Sequence, residues 1–72
     1  MRNEVVAITT VYAHTVQVGD VVNLDGTESR VTNMFAMDGG RKRLHLANGQ
    51  AVTLDASTPL IAKRATAAEI NR

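Results

Sequence analysis

Nothing covalent is available to staple this chain: its 72 residues include no cysteine, and two histidines are too few for a closed zinc site of the usual Cys/His kind. The fold must stand on a hydrophobic core, and at this length only about 60% of the unfolded chain's surface can be buried. Aromatic mass is scarce as well, with one Tyr, one Phe and no Trp. A hydrophobic fraction of 44% still suits a globular domain and excludes wholesale disorder. Such a chain makes one domain, and its thin core needs almost every large apolar side chain.

From position 16 onward the apolar residues recur at the period of a β-strand. Val16, Val18, Val21, Val22 and Leu24, interrupted by Gly19-Asp20, read as a first strand. Asp25-Gly26 then makes a turn or opens a longer loop through Ser29. Residues 30–37 read as a second strand, with Val31, Asn33, Phe35 and Met37 on one face and Thr32, Met34 and Ala36 on the other. Residues 41–46, 50–54 and 60–64 give three more, and Pro59 breaks the ladder before the last.

Face parity discriminates between turn lengths. Burying Leu44 and Leu46 together with Val52 and Leu54 requires a three-residue loop, Ala47-Asn48-Gly49, with Gly49 in the left-handed region. A two-residue Asn48-Gly49 turn would set apolar against polar faces. Across Gly39-Gly40 parity favours two residues, pairing Phe35 with Leu44, Asn33 with Leu46 and Asp38 with Arg41. The expected core is Val22, Leu24, Phe35, Leu44, Leu46, Val52, Leu54 and Ile61.

The run Val18-Gly19-Asp20-Val21-Val22, the long first loop and the Ser57-Thr58-Pro59 break give residues 16–64 an order and spacing that resemble the SH3-like small β-barrel. The resemblance implies an all-β, five-stranded barrel and no particular activity. An open five-stranded meander, or an OB-like barrel using residues 5–12 as another strand, is the rival arrangement. Residues 1–15 form an N-terminal extension or an edge strand built on Val5, Val6, Ala7, Ile8, Val11 and Tyr12. Residues 65–72 form a C-terminal tail, in which Thr66-Ala67-Ala68-Glu69 matches a helix capping box and predicts a short helical turn. No apolar run approaches the roughly 20 residues of a membrane span. The start lacks the apolar segment of a secretory signal, so a cytoplasmic location without membrane contact is expected.

Catalysis finds little to work with. There is no Cys, Ser29 and Ser57 lie in no nucleophile motif, and no phosphate-cradling Gly-rich loop or paired-carboxylate spacing occurs. So thin a chain also has little room for a deep pocket, so neither an enzyme nor a small-molecule substrate is expected. His14 and His45 could converge with Asp20, Asp25 or Asp55, but no ligand pair has metal-binding spacing, and no cofactor is implied.

Charge is the most informative feature left. The net charge is +1, which supplies no global field, but it is unevenly spread. Residues 1–29 set Arg2 against Glu4, Asp20, Asp25 and Glu28, a net −3, whereas residues 30–64 set Arg30, Arg41, Lys42, Arg43, Lys63 and Arg64 against Asp38 and Asp55, a net +4. On a strand Arg41, Arg43 and His45 share one face, a cationic stripe about 13 Å long. Phosphates of a nucleic acid could follow it, with Lys42, Lys63 and Arg64 extending the basic surface. Against this stand the ordinary solvated strand face, Asp38 beside Arg41, and the absence of stacking aromatics, since Phe35 belongs to the expected core. The same scarcity excludes a proline-peptide groove or a methyl-lysine cage. The alternative function is a protein-interaction module or homo-oligomer subunit that uses an edge strand and an outward Met34 as adaptable contact.

Overall fold

β-Branched and aliphatic runs separated by glycine turns become six antiparallel strands: β1 (Glu4–Val11), β2 (Val21–Leu24), β3 (Thr27–Ala36), β4 (Lys42–Leu46), β5 (Ala51–Leu54) and β6 (Leu60–Ala67). The computed structural model describes residues 4–67, and the side-chain surroundings of residues 6–64. The strand order is β1-β6-β2-β3-β4-β5, so the sheet is open, with β1 and β5 at its edges among the described residues. The described residues are all-β, with a single short 3-10 turn among them at Asp38–Gly40. No helix among the described residues is long and apolar enough to cross a membrane.

The N-terminal piece is a true strand. All of β1 pairs with β6, from Glu4 opposite Ala67 to Val11 opposite Leu60. β6 thus runs three residues past its expected end, and Thr66 and Ala67 of the supposed capping box are extended, while the rest of that box lies outside the described residues. The expected first strand is shorter than its apolar pattern. Val16–Asp20 instead forms a hook in which the Gln17 amide donates to Asp20 Oδ2 at 2.9 Å and the Asp20 amide to the Gln17 carbonyl at 3.0 Å. The Gly19 amide donates to the Val31 carbonyl and the Val31 amide to the Asp20 carbonyl, both at 2.8 Å, tying the hook to β3.

β3 is the spine of the molecule. Its first residues, up to Arg30, pair with β2 and its later ones, from Val31, with β4, and a bulge between Val31 and Asn33 interrupts the second ladder just after the change of partner. Strands that pass from one ladder to another commonly bend at bulges. Thr32 is the extra residue. Its hydroxyl donates to the His45 carbonyl at 3.1 Å, and Asn33 Oδ1 accepts the Met34 amide at 2.9 Å, occupying groups that the bulge frees from the ladder. One core lies between the ladders: Val11, Ala13, Val16, Val22, Val31 and Ala62 meet Leu44, Leu46 and Leu54, with Leu24, Met34, Val52 and Leu60 packed around them.

The β4–β5 connection has the three-residue loop that parity demanded. Leu44 faces Val52 and Lys42 faces Leu54, the Leu46 amide donates to the Gln50 carbonyl at 2.9 Å, and Gly49 has φ +92°. The β3–β4 register differs from expectation by one residue. Met34 faces Leu44, Phe35 faces Arg43 and Ala36 faces Lys42, so Met37 and Arg41 close a loop of three residues. The physical reason is the bulge, which resets the alternation so that Val31 and Met34 both point inward. Phe35 and Ile61, both assigned to the core, are 49% and 51% exposed.

Candidate nucleic-acid interface

The outward face of β3, β4 and β5 carries two cross-strand rows. Asn33 and Phe35 on β3 stand beside His45 and Arg43 on β4, which stand beside Ala51 and Thr53 on β5. All six are exposed. Arg41 continues the alternation just before β4 in extended conformation, φ −82° and ψ 159°, and is also exposed. Its Nε donates to the Asp38 carbonyl at 3.0 Å, which anchors the stem of the side chain to the preceding turn. The ion pair expected between Arg41 and the Asp38 carboxylate does not form: the ion pairs among the described residues are Lys63–Glu28 and Arg64–Asp20.

Arg41, Arg43 and His45 therefore make the stripe read from the sequence, while the other basic residues do not join it. Lys42 lies on the opposite face, half-buried between Ala36 and Leu54. Lys63 bonds Glu28 at 2.9 Å on the outer side of the other ladder. Arg64 is a structural cation. Its Nε and Nη2 each reach an Asp20 carboxylate oxygen at 2.8 Å, and Nη2 also donates to the Thr15 carbonyl at 3.0 Å. Met34 points inward against Leu44 rather than outward, again because of the bulge.

Phe35 is the residue the sequence reading placed on the wrong side. Its ring packs edge-on with His45, centroids 5.2 Å apart and planes at 68°. The aromatic counted as missing from the stripe thus stands within it.

A concavity of about 570 Å³ lies where the end of β1 meets the 12–15 turn and residues 56–57. That volume is in the range of small-molecule sites and is larger than the chain's thinness suggested. Tyr12 and His14 stack at its wall, centroids 5.8 Å apart and planes at 20°. The guanidinium on its lining, Arg64, is already bonded to Asp20 and Thr15. No group of three or more metal-ligating side chains converges anywhere among the described residues.

These features define an all-β module with one cationic, aromatic-bearing sheet face. No family model matches the chain, and neither a curated protein nor a solved structure shows detectable similarity to it.

Proposed function

We propose that this chain is a small, non-enzymatic, cytoplasmic binding module that contacts nucleic-acid phosphates through the outward face of β4, as a regulatory or accessory factor. The observation that carries the reading is the lack of counter-charge: Arg43 and His45 face Phe35, Asn33, Thr53 and Ala51, none of them acidic. A solvated face with no partner to satisfy normally mixes charge signs across its strands. This one presents the Arg43 guanidinium on a neutral ground, and guanidinium groups bind phosphate bidentately. The SH3-like barrel is part of the proposal, favoured by a single core to which both ladders contribute and by the bulged strand β3 that they share.

Fluorescence anisotropy with short labelled oligonucleotides at two salt concentrations tests it. Arg41→Ala and Arg43→Ala should each weaken binding and lower the salt slope by about one unit. Lys63→Ala should leave the slope nearly unchanged, because Glu28 already neutralises that ammonium. Absence of binding at low salt, or full binding by the Arg41/Arg43 double variant, would refute the proposal.

A specific observation favours a second reading at the opposite end of the sheet. β1 is an open edge of eight residues, and Val6, Ile8 and Ile61 are exposed on its side of the sheet. Such an edge is a template for pairing with another strand, and this one carries no lysine, proline or bulge to blunt it.

A further inference from the structure

A thin core has use for every large apolar side chain, yet the chain's single Phe stands outside it, 49% exposed. Thr32 is the cause, since unbroken alternation from Val31 would have turned Phe35 inward. The ring is braced edge-on by His45 and bordered across the strands by Arg43. Beyond β4 the neighbours are Ala51 and Thr53, which are short, so no tall side chain of β5 overhangs it. We infer that the Phe35–His45 pair is a stacking platform for an unpaired base, and that the ligand of this face is single-stranded nucleic acid whose backbone runs along Arg41 and Arg43.

The inference rests on the nucleic-acid reading and narrows it. A duplex hides its base faces and presents mainly phosphate, whereas a single strand can splay a base onto an aromatic ring. Every base has such a face, so stacking alone brings little sequence preference. Asn33 supports the same expectation: the Met34 amide already occupies one of the two lone pairs of its side-chain oxygen, so its capacity to read a base edge is reduced. Complementarity of charge favours this occupant, because the paired outward rows hold Arg43 and no carboxylate, and Arg41, whose register position beyond β4 falls opposite Asp55, forms no ion pair with it.

Three labelled probes of about 20 units distinguish the contributions: oligo-dT, an abasic strand of the same length, and a dA·dT duplex. The wild-type protein should bind oligo-dT more tightly than either of the others. Phe35→Ala should lower oligo-dT affinity about 5- to 100-fold, to the level of the abasic strand, without changing abasic or duplex binding. Phe35→Leu, which keeps apolar bulk without the ring, should behave like Phe35→Ala, and Phe35→Trp should retain the preference. Far-UV circular dichroism matching wild type shows that each variant is folded. If Phe35→Ala binds oligo-dT as wild type does while Arg43→Ala does not, stacking is overturned and the phosphate reading stands. If the wild-type protein binds none of the probes at low salt, both fall.

Discussion

At the scale of single residues, the most consequential contact is one that carries no ligand. Asp20 is only 2% exposed, and a carboxylate so placed is costly unless it is paired and hydrogen-bonded. The two Arg64 hydrogen bonds hold its carboxyl below the usual carboxylate range, against the opposing effect of burial and with help from the Gln17 amide. The same bonds raise the Arg64 guanidinium. A carboxylate whose folded pKa is lowered contributes stability above its unfolded value of about 3.9 and loses that contribution as pH falls through the lowered folded value. The wild-type melting temperature should therefore drop as pH is taken below about 4. Asp20→Asn should start lower at neutral pH and lose less across that acid window. Arg64→Leu should cost about 2–3 kcal/mol in urea denaturation at neutral pH, because it strands a buried charge, with the partial exposure of the guanidinium tempering the loss. A variant as stable as wild type would show that solvent replaces the arginine.

Between elements, the β4–β5 loop shows how register rests on parity. Deleting Gln50 would keep the three-residue loop but set Leu46 against Ala51, turning Val52 and Leu54 outward. Losing a buried Leu costs about 2–5 kcal/mol, comparable to the roughly 5 kcal/mol that holds so small a domain together, so this variant should be unfolded. Deleting Ala47 leaves Asn48-Gly49 as a two-residue turn with Leu46 still opposite Gln50. It should fold with a loss of about 1–2 kcal/mol for the Ala47–Arg30 and Asn48–Ser29 hydrogen bonds. Urea melts of the two deletions check the contrast, and equal stability would remove parity as the determinant. This loop was legible because Leu44, Leu46, Val52 and Leu54 alternate with polar residues. β3 was not, because Val31, Met34, Phe35, Ala36 and Met37 offer apolar side chains at both parities, and one added residue decides between them. That single ambiguity misplaced Phe35 and Met34 and shortened the turn at Gly39-Gly40. The cationic row itself was readable, since a uniform strand fixes Arg41, Arg43 and His45 to one side. The fates of Lys63 and Arg64 were not, because their partners lie far away in the chain.

Across the whole molecule, the two proposed contacts sit in opposite halves of the strand order, Phe35 on the β3-β4-β5 half and Ile8 on edge strand β1. Beyond the stretch where Val21 and Val22 pair with β6, β1 and β6 continue as a two-stranded ribbon, an arrangement marginal on its own. The long axis of 44 Å and radius of gyration of 13.2 Å fit such a projection, since a compact chain of this length has a radius near 11 Å. If two copies join along β1, sedimentation should show a concentration-dependent dimer that persists at high salt. Ile8→Lys should return it to monomer while leaving oligonucleotide binding intact, because that side chain is 69% exposed and far from the cationic row in strand order. A monomer at every accessible concentration would eliminate this contact. The placement of β6 between β1 and β2 also governs time. Val11 meets Leu60 and Glu4 meets Ala67, so β1 finds its neighbour only after the four strands between it and β6 have been made. Pairings so distant along the chain slow folding, because a long loop must close before any contact repays it. Until then β1 waits as an unpaired, aggregation-prone edge, and the speed at which β6 arrives decides whether it docks within its own chain or onto another.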